Sequence, residues 1–83
     1  MTEYCVITFA NTHSALSAEQ ELKQRIKIVI LPTPREISKG CGIAIRFAQE
    51  DLEQAKAALE ELKLPQDRYG FFRRCQDGGY VAL

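Results

Sequence analysis

Two different periods of apolar residues run along this chain, and they mark its elements. From Tyr4 to Ala10 the period is two: Cys5, Ile7 and Phe9 fall on one side, and Tyr4, Val6 and Thr8 on the other. Such alternation in a β-branched and aromatic stretch predicts a strand. Asn11-Thr12-His13-Ser14 follows, a cluster of residue types that cap helix N-termini. Ala15, Ala18, Leu22 and Ile26 then repeat at intervals of three and four, which predicts an amphipathic helix. Glu19 with Lys23, and Glu21 with Arg25, make favourable i,i+4 pairs on its polar side.

Lys27 to Leu31 is short and nearly all apolar, a second strand, and Pro32 and Pro34 then end regular structure and open a loop. Gly42 to Phe47 predicts a third strand, with Ile43, Ile45 and Phe47 on one face and Ala44 and Arg46 on the other. A second helix spans about Gln49 to Lys63, with the stripe Leu52, Ala55, Leu59 and Leu62 and a stop at Pro65. Tyr69 to Cys75 is the fourth strand. Asp77-Gly78-Gly79 is a tight-turn signal before a short tail, Tyr80 to Leu83. The order β-α-β-β-α-β predicts an α+β sandwich of ferredoxin-like type: a four-stranded antiparallel sheet in the order 4-1-3-2, with both helices on one face. Some other small α+β sandwich is the alternative. A doubly wound fold is disfavoured because no helix joins strands two and three.

That order gives Cys41 a setting. It stands in Pro34-Arg35-Glu36-Ile37-Ser38-Lys39-Gly40-Cys41-Gly42, between two glycines, where a polar loop meets an apolar strand. Glycines leave a neighbour unshielded and tolerate unusual backbone angles, so another molecule can come close. With strand three antiparallel to strand one, Cys41 is expected beside Asn11-Thr12-His13-Ser14, where the first helix begins. Helix N-termini favour anions, and a thiolate is one. A thiol of pKa near 8.5 is about 3% ionised at pH 7, and a two-unit depression makes that about 75%. His13, Arg35 and Lys39 could add positive charge, Thr12 and Ser14 lie in the capping cluster, and Ser38 could hydrogen-bond within the loop. A second reading stands beside this one. The parity that Cys41 shares with Ile43 and Ile45 also aims it at the core, where cysteine serves as a small hydrophobe.

Composition narrows the classes. Eighty-three residues make a single domain, hydrophobic residues are 46% and charged residues 27%, which is the balance of a globular chain. Eleven Lys plus Arg offset eleven Asp plus Glu, so the net charge is zero and nucleic acid is not an expected partner. The third strand also lacks the aromatics an RNA-recognition sheet uses. No apolar run approaches the ~20 residues of a membrane span. The start lacks the pattern of a secretory signal, and the chain reads as cytoplasmic, without a membrane partner. Three scattered cysteines, Cys5, Cys41 and Cys75, make a poor disulfide framework. With one histidine and no Cys-x-x-Cys they form no zinc spacing, so no metal or other cofactor is expected. Cys5 is expected in the core, and Cys75 near it, both remote from Cys41.

The Pro34-Arg35-Glu36-Ile37-Ser38…Gly40-Cys41-Gly42 motif, preceded by Phe9-Ala10-Asn11-Thr12-His13-Ser14-Ala15, resembles the small bacterial selenium/sulfur carrier protein-like family. The resemblance covers Tyr4 to about Tyr69. It implies that Cys41 carries sulfur or selenium as a persulfide or selenosulfide, with Gly40 and Gly42 granting access. Family members are associated by genomic context with sulfur-relay and selenium-donor proteins. The implied partners are a donor such as a cysteine desulfurase and a separate sulfur-relay acceptor. On this reading the chain is a carrier rather than an enzyme with turnover of its own. The alternative is a non-catalytic interaction module that uses the open sheet face of Tyr4, Val6, Thr8, Ala44 and Phe71 or Phe72, a face that would also suit a homodimer.

Overall fold

The computed structural model describes residues 4–37 and 42–83. Strand β1, Tyr4–Phe9, forms where the period-2 pattern is strongest. Asn11 then stops the strand and starts helix α1, Thr12–Leu22: its side chain accepts a 2.8 Å hydrogen bond from the Ser14 N–H. Strand β2 is Ile28–Pro32 and β3 is Ile43–Phe47. A 3-10 turn, Gln49–Asp51, leads into helix α2, Leu52–Glu61. After a second 3-10 turn, Gln66–Arg68, come β4, Tyr69–Arg74, and β5, Tyr80–Ala82.

All pairings are antiparallel, in the order β2-β3-β1-β4-β5. Among the described residues the sheet therefore has five strands, not the four expected. The tail forms the extra one. Gly78 takes a positive φ of 93°, Gly78 N–H donates to Cys75 C=O, and Cys75 N–H donates to Gly79 C=O. That hairpin returns the chain alongside β4, with Tyr80 opposite Arg74. A strand of three residues is too short to show a period, which is why the sequence pattern reads it as a tail. Pro32 does not end β2 but closes it, opposite Ile43. A proline can sit there because β2 is an edge strand.

The two faces of the sheet are closed differently. Cys5, Ile7 and Phe9 of β1 and Ile45 and Phe47 of β3 pack with Ala15, Ala18 and Leu22 of α1 and Ala55, Ala58 and Leu59 of α2. Ala58 lies in the second helix's buried stripe beside the residues that the spacing marks. Phe71 joins this side, stacking edge-on to Phe47 and Tyr69. On the opposite face Val6 and Ala44 are also sealed, at 0% exposure, beneath Ile37, Tyr4, Leu31, Phe72 and Tyr80. The face expected to be open thus has a covered centre. An isoleucine from the loop after β2 reaches it.

Candidate functional site

The candidate site is built where β3 begins. Thr8 of β1 stands opposite Ala44, so the first residues of β3 lie beside the corner at which β1 gives way to α1. The loop leaving β2 is fastened at two places. Thr33 N–H donates to Gly42 C=O at 3.1 Å, which ties the loop's outgoing strand to its return. Pro34 to Ile37 forms a turn closed by the Ile37 N–H on Pro34 C=O, and Ile37 then docks over Val6 and Ala44.

Of the residues named from the sequence, Cys41, Gly40 and Ser38 lie outside the described residues, as does Lys39. Gly42 is exposed, and a Cβ built on it would meet nothing within 4 Å. Its φ is not in the left-handed region, so the conformational argument for this glycine falls away. The clearance argument remains. Arg35 is exposed in the Pro34–Ile37 turn, and Thr12 and His13 are exposed in the first turn of α1. Ser14 is buried, and its backbone N–H is held by the Asn11 side chain. That cap leaves the N–H groups of Thr12 and His13 as the donors the helix tip can offer, and no acidic residue occupies its first turn to compete for them.

A cleft of about 260 Å³ opens beside this loop. Ile37 forms one wall, Thr8, Phe9 and Ala10 another, and Tyr69, Gly70 and Phe72 a third, with Asp67 and Arg68 at the rim. A Cβ at Gly70 would stand 3.2 Å from the Phe72 ring and 3.7 Å from Thr8 Oγ1, so the glycine keeps this cleft clear. One sign of Ile37's part is visible along the chain: it is an apolar residue isolated between Glu36 and Ser38. Nothing in the spacing of Gly70 marks the cleft.

Cys5 is sealed in the core at 0% exposure, and burial pushes its thiol above the ordinary value against the pull of Arg73 and Lys56. Cys75 is half-buried, and Arg73 rather than Cys75 stands opposite Cys5. Both are free thiols. At the far end of the covered face, Tyr4 Oη accepts a 3.0 Å hydrogen bond from Arg74 Nη1, and Arg46 lies 5.2 Å from the Tyr4 ring centroid. Bonding to Tyr80 and Arg74 lowers the Tyr4 hydroxyl's pKa, while burial raises that of Tyr80. Among the described residues, no three His, Cys, Asp or Glu side chains gather into a set that could hold a metal ion.

Residues 4–69 match the family described as "Putative Se/S carrier protein-like". The chain belongs to that family. It is also 40% identical over 55 residues to the uncharacterized protein MJ0011 of Methanocaldococcus jannaschii, an alignment that takes in 66% of this chain. The aligned stretch is 28% of that relative's length, so this chain corresponds to a fraction of it. No solved structure matches. The family match spans β1 through the start of β4 and includes the whole Pro34–Gly42 motif, while the hairpin carrying β5 lies beyond it. Among the described residues no helix is long and apolar enough to cross a membrane.

Proposed function

We propose that this protein is a sulfur or selenium carrier that holds the transferred atom on Cys41, as a persulfide or a selenosulfide. Membership of the Se/S carrier-like family, with the cysteine motif inside the matched residues, is the observation that carries this reading. The surroundings support it. Gly42 has open space on its side-chain side, the loop base is fixed by the Thr33–Gly42 bond, and Ile37 anchors the preceding turn. The framework we assign is ferredoxin-like, with β2-β3-β1-β4 as its four strands and β5 added at the outer edge.

The transfer balances without an outside oxidant. The Cys41 thiolate attacks the terminal sulfur of a donor persulfide, the S–S bond of the donor breaks, and the donor leaves as a thiolate. Cys41 then bears S–S⁻ and hands the outer atom to an acceptor by the same reaction. Selenium follows the same course from a donor selenosulfide. Donor and acceptor are separate proteins, a cysteine desulfurase and a sulfur-relay protein being the types this chemistry fits, and the reaction needs no cofactor on this chain. Thr12 and His13, at the tip of α1, and Arg35 supply the electropositive side of the site, and Gly42 its access.

The test is intact-mass spectrometry after incubation with a cysteine desulfurase and isotopically labelled cysteine. Cys41 is expected to gain one sulfur, Cys41→Ser to gain none, and Cys75→Ser to load like the wild type. Absence of the adduct, while an established carrier loads in parallel, would overturn the reading. Gly42→Ala refines it: the added methyl group has room in the fold, so loading should slow with no change in melting temperature.

A further inference from the structure

The charges of this protein are sorted between its two layers. Among the described residues the strands carry three charged side chains, Arg46, Arg73 and Arg74, and no acid. The helices and the 3-10 turn before α2 carry seven acids, two in α1, two in the turn and three in α2, against one lysine. Arg73 stands opposite Cys5 and so lies on the helix side. Arg46 and Arg74, opposite Val6 and Tyr4, lie on the face whose centre Ile37 covers, and Arg46 is exposed there.

The register gathers four residues at this end of the face. Tyr4 stands opposite Arg74, and Arg74 opposite Tyr80. Arg74 Nη1 donates to Tyr4 Oη, which lies 3.5 Å from Tyr80 Oη. The Arg46 guanidinium sits 5.2 Å from the Tyr4 ring centroid, and that of Arg74 sits 5.9 Å from Tyr4 and 5.5 Å from Tyr80. These rings hold both arginines in place before anything binds, which lowers the ordering cost of a contact. Among the described residues neither arginine has a carboxylate partner, the ion pairs being those of Arg25 and Arg68. Asp77, in the adjoining hairpin, gives its Oδ1 to the Gly79 N–H. The cluster thus presents donors and positive charge that no anion of the described chain meets.

We propose that Tyr4, Arg46, Arg74 and Tyr80 form a docking surface for a carboxylate-rich segment of a partner protein. Arginine forks match carboxylates in shape as well as charge, and arginine and tyrosine are the side chains that carry most of the energy at protein interfaces. Val29, 47% exposed and opposite Arg46, adds an apolar contact at the margin. Nucleic acid fits this surface less well. Each tyrosine ring already has a guanidinium against it, where base stacking needs an open π-face, and the acidic helix layer repels a polyanion. A small anion also fits less well, because small ligands favour concave sites and the cleft beside Ile37 does not extend to these residues. Four side chains make a small focus, which suits a transient encounter. Ile43, where the cysteine loop returns, precedes Arg46 on β3 by about 10 Å. On the carrier reading, the docked protein is one that exchanges the atom at Cys41, while the docking itself stands without that reading.

Amide NMR of the full chain, titrated with a hexaglutamate peptide, tests this. Shifts are expected at Tyr4, Arg46, Arg74 and Tyr80, and they should fade as salt is added. Arg46→Glu should weaken binding about tenfold or more with little change in melting temperature, since the side chain is exposed. Lys23→Glu makes the same change of net charge at an exposed position on the helix layer, and should weaken binding by less than about twofold. Cys41→Ser, which cannot load, should bind the peptide like the wild type, so docking and carrying fail separately. A wild type that gives no shifts at these four residues overturns the proposal. So does a hexaglutamine peptide that binds as well, a Lys23→Glu variant that weakens binding as much as Arg46→Glu, or a single-stranded RNA hexanucleotide that moves the same amides at lower concentration.

Discussion

The sheet's two faces show two ways of excluding water. One is covered by α1 and α2, which bring six buried residues to a core shared with β1, β3 and β4. The other is covered, among the described residues, by Ile37 from a loop, within a rim of Tyr4, Leu31, Phe72 and Tyr80. The helix layer is fixed by the many contacts of two long elements. Among the described residues the loop layer is anchored by Ile37, in a segment also held by backbone bonds from Thr33 to Gly42 and from Ile37 to Pro34. The helix layer and Ile37 thus lie on opposite sides of one sheet.

Mutations should expose that contrast. Leu59→Ala removes a fully buried side chain between α2 and the sheet and should cost about 2–5 kcal/mol by urea denaturation. A cost below about 1 kcal/mol would mean that the helix layer collapses around the gap. Ile37→Ala should cost less, about 2 kcal/mol, because the rim can settle over Val6 and Ala44. It should also speed amide exchange at Thr33 relative to Ile45, which would separate loosening of the loop from loosening of the core. If Ile37→Ala matches Leu59→Ala in cost, the two faces are equally rigid and the contrast fails.

Smaller effects lie within the helix layer. Lys63, just past α2, has a φ of 59°, a left-handed conformation that glycine adopts without strain. Lys63→Gly should therefore raise stability by about 0.5–1 kcal/mol, read from the same denaturation curves. The smallest effect concerns Arg25, which bonds Glu21 and also reaches Glu61, joining the end of α1 to the end of α2. Arg25 holds the Glu61 carboxyl below its ordinary value of 4.5. Its stabilisation is thus complete above pH 4.5 and lost as pH falls through the lower folded value. The stability difference between wild type and Glu61→Gln should shrink accordingly on acidification, and a constant difference would remove the bridge from the account.

The helix-covered layer was legible in the sequence. Period two in β1 and β3, and intervals of three and four in the helices, place Cys5, Ile7, Ile45, Leu22 and Leu59 on the sides where they are buried. The loop-covered layer was not, because one isoleucine in a polar stretch has no period, and its docking depends on contacts that no local pattern encodes. The same holds for β5, whose three residues pair only because the Gly78 hairpin brings them back. At the site, the sequence marks Gly42, Arg35, Thr12 and His13, and all are exposed. It also marks Ser14, which the Asn11 cap occupies. The cleft beside Ile37 was missed, since it arises where β4 meets β1 and Gly70 has no side chain to announce it.

The sealed sulfur of Cys5 gives this small protein a built-in clock. A thiol reagent can reach that atom only in the moments when the sheet and helices part, so the rate of its labelling counts those moments. Half-buried Cys75, in the same tube, reports the pace of the reagent on a more accessible thiol. Their ratio would follow how firmly the chain stays shut as solvent or temperature changes, with no dye or tag attached.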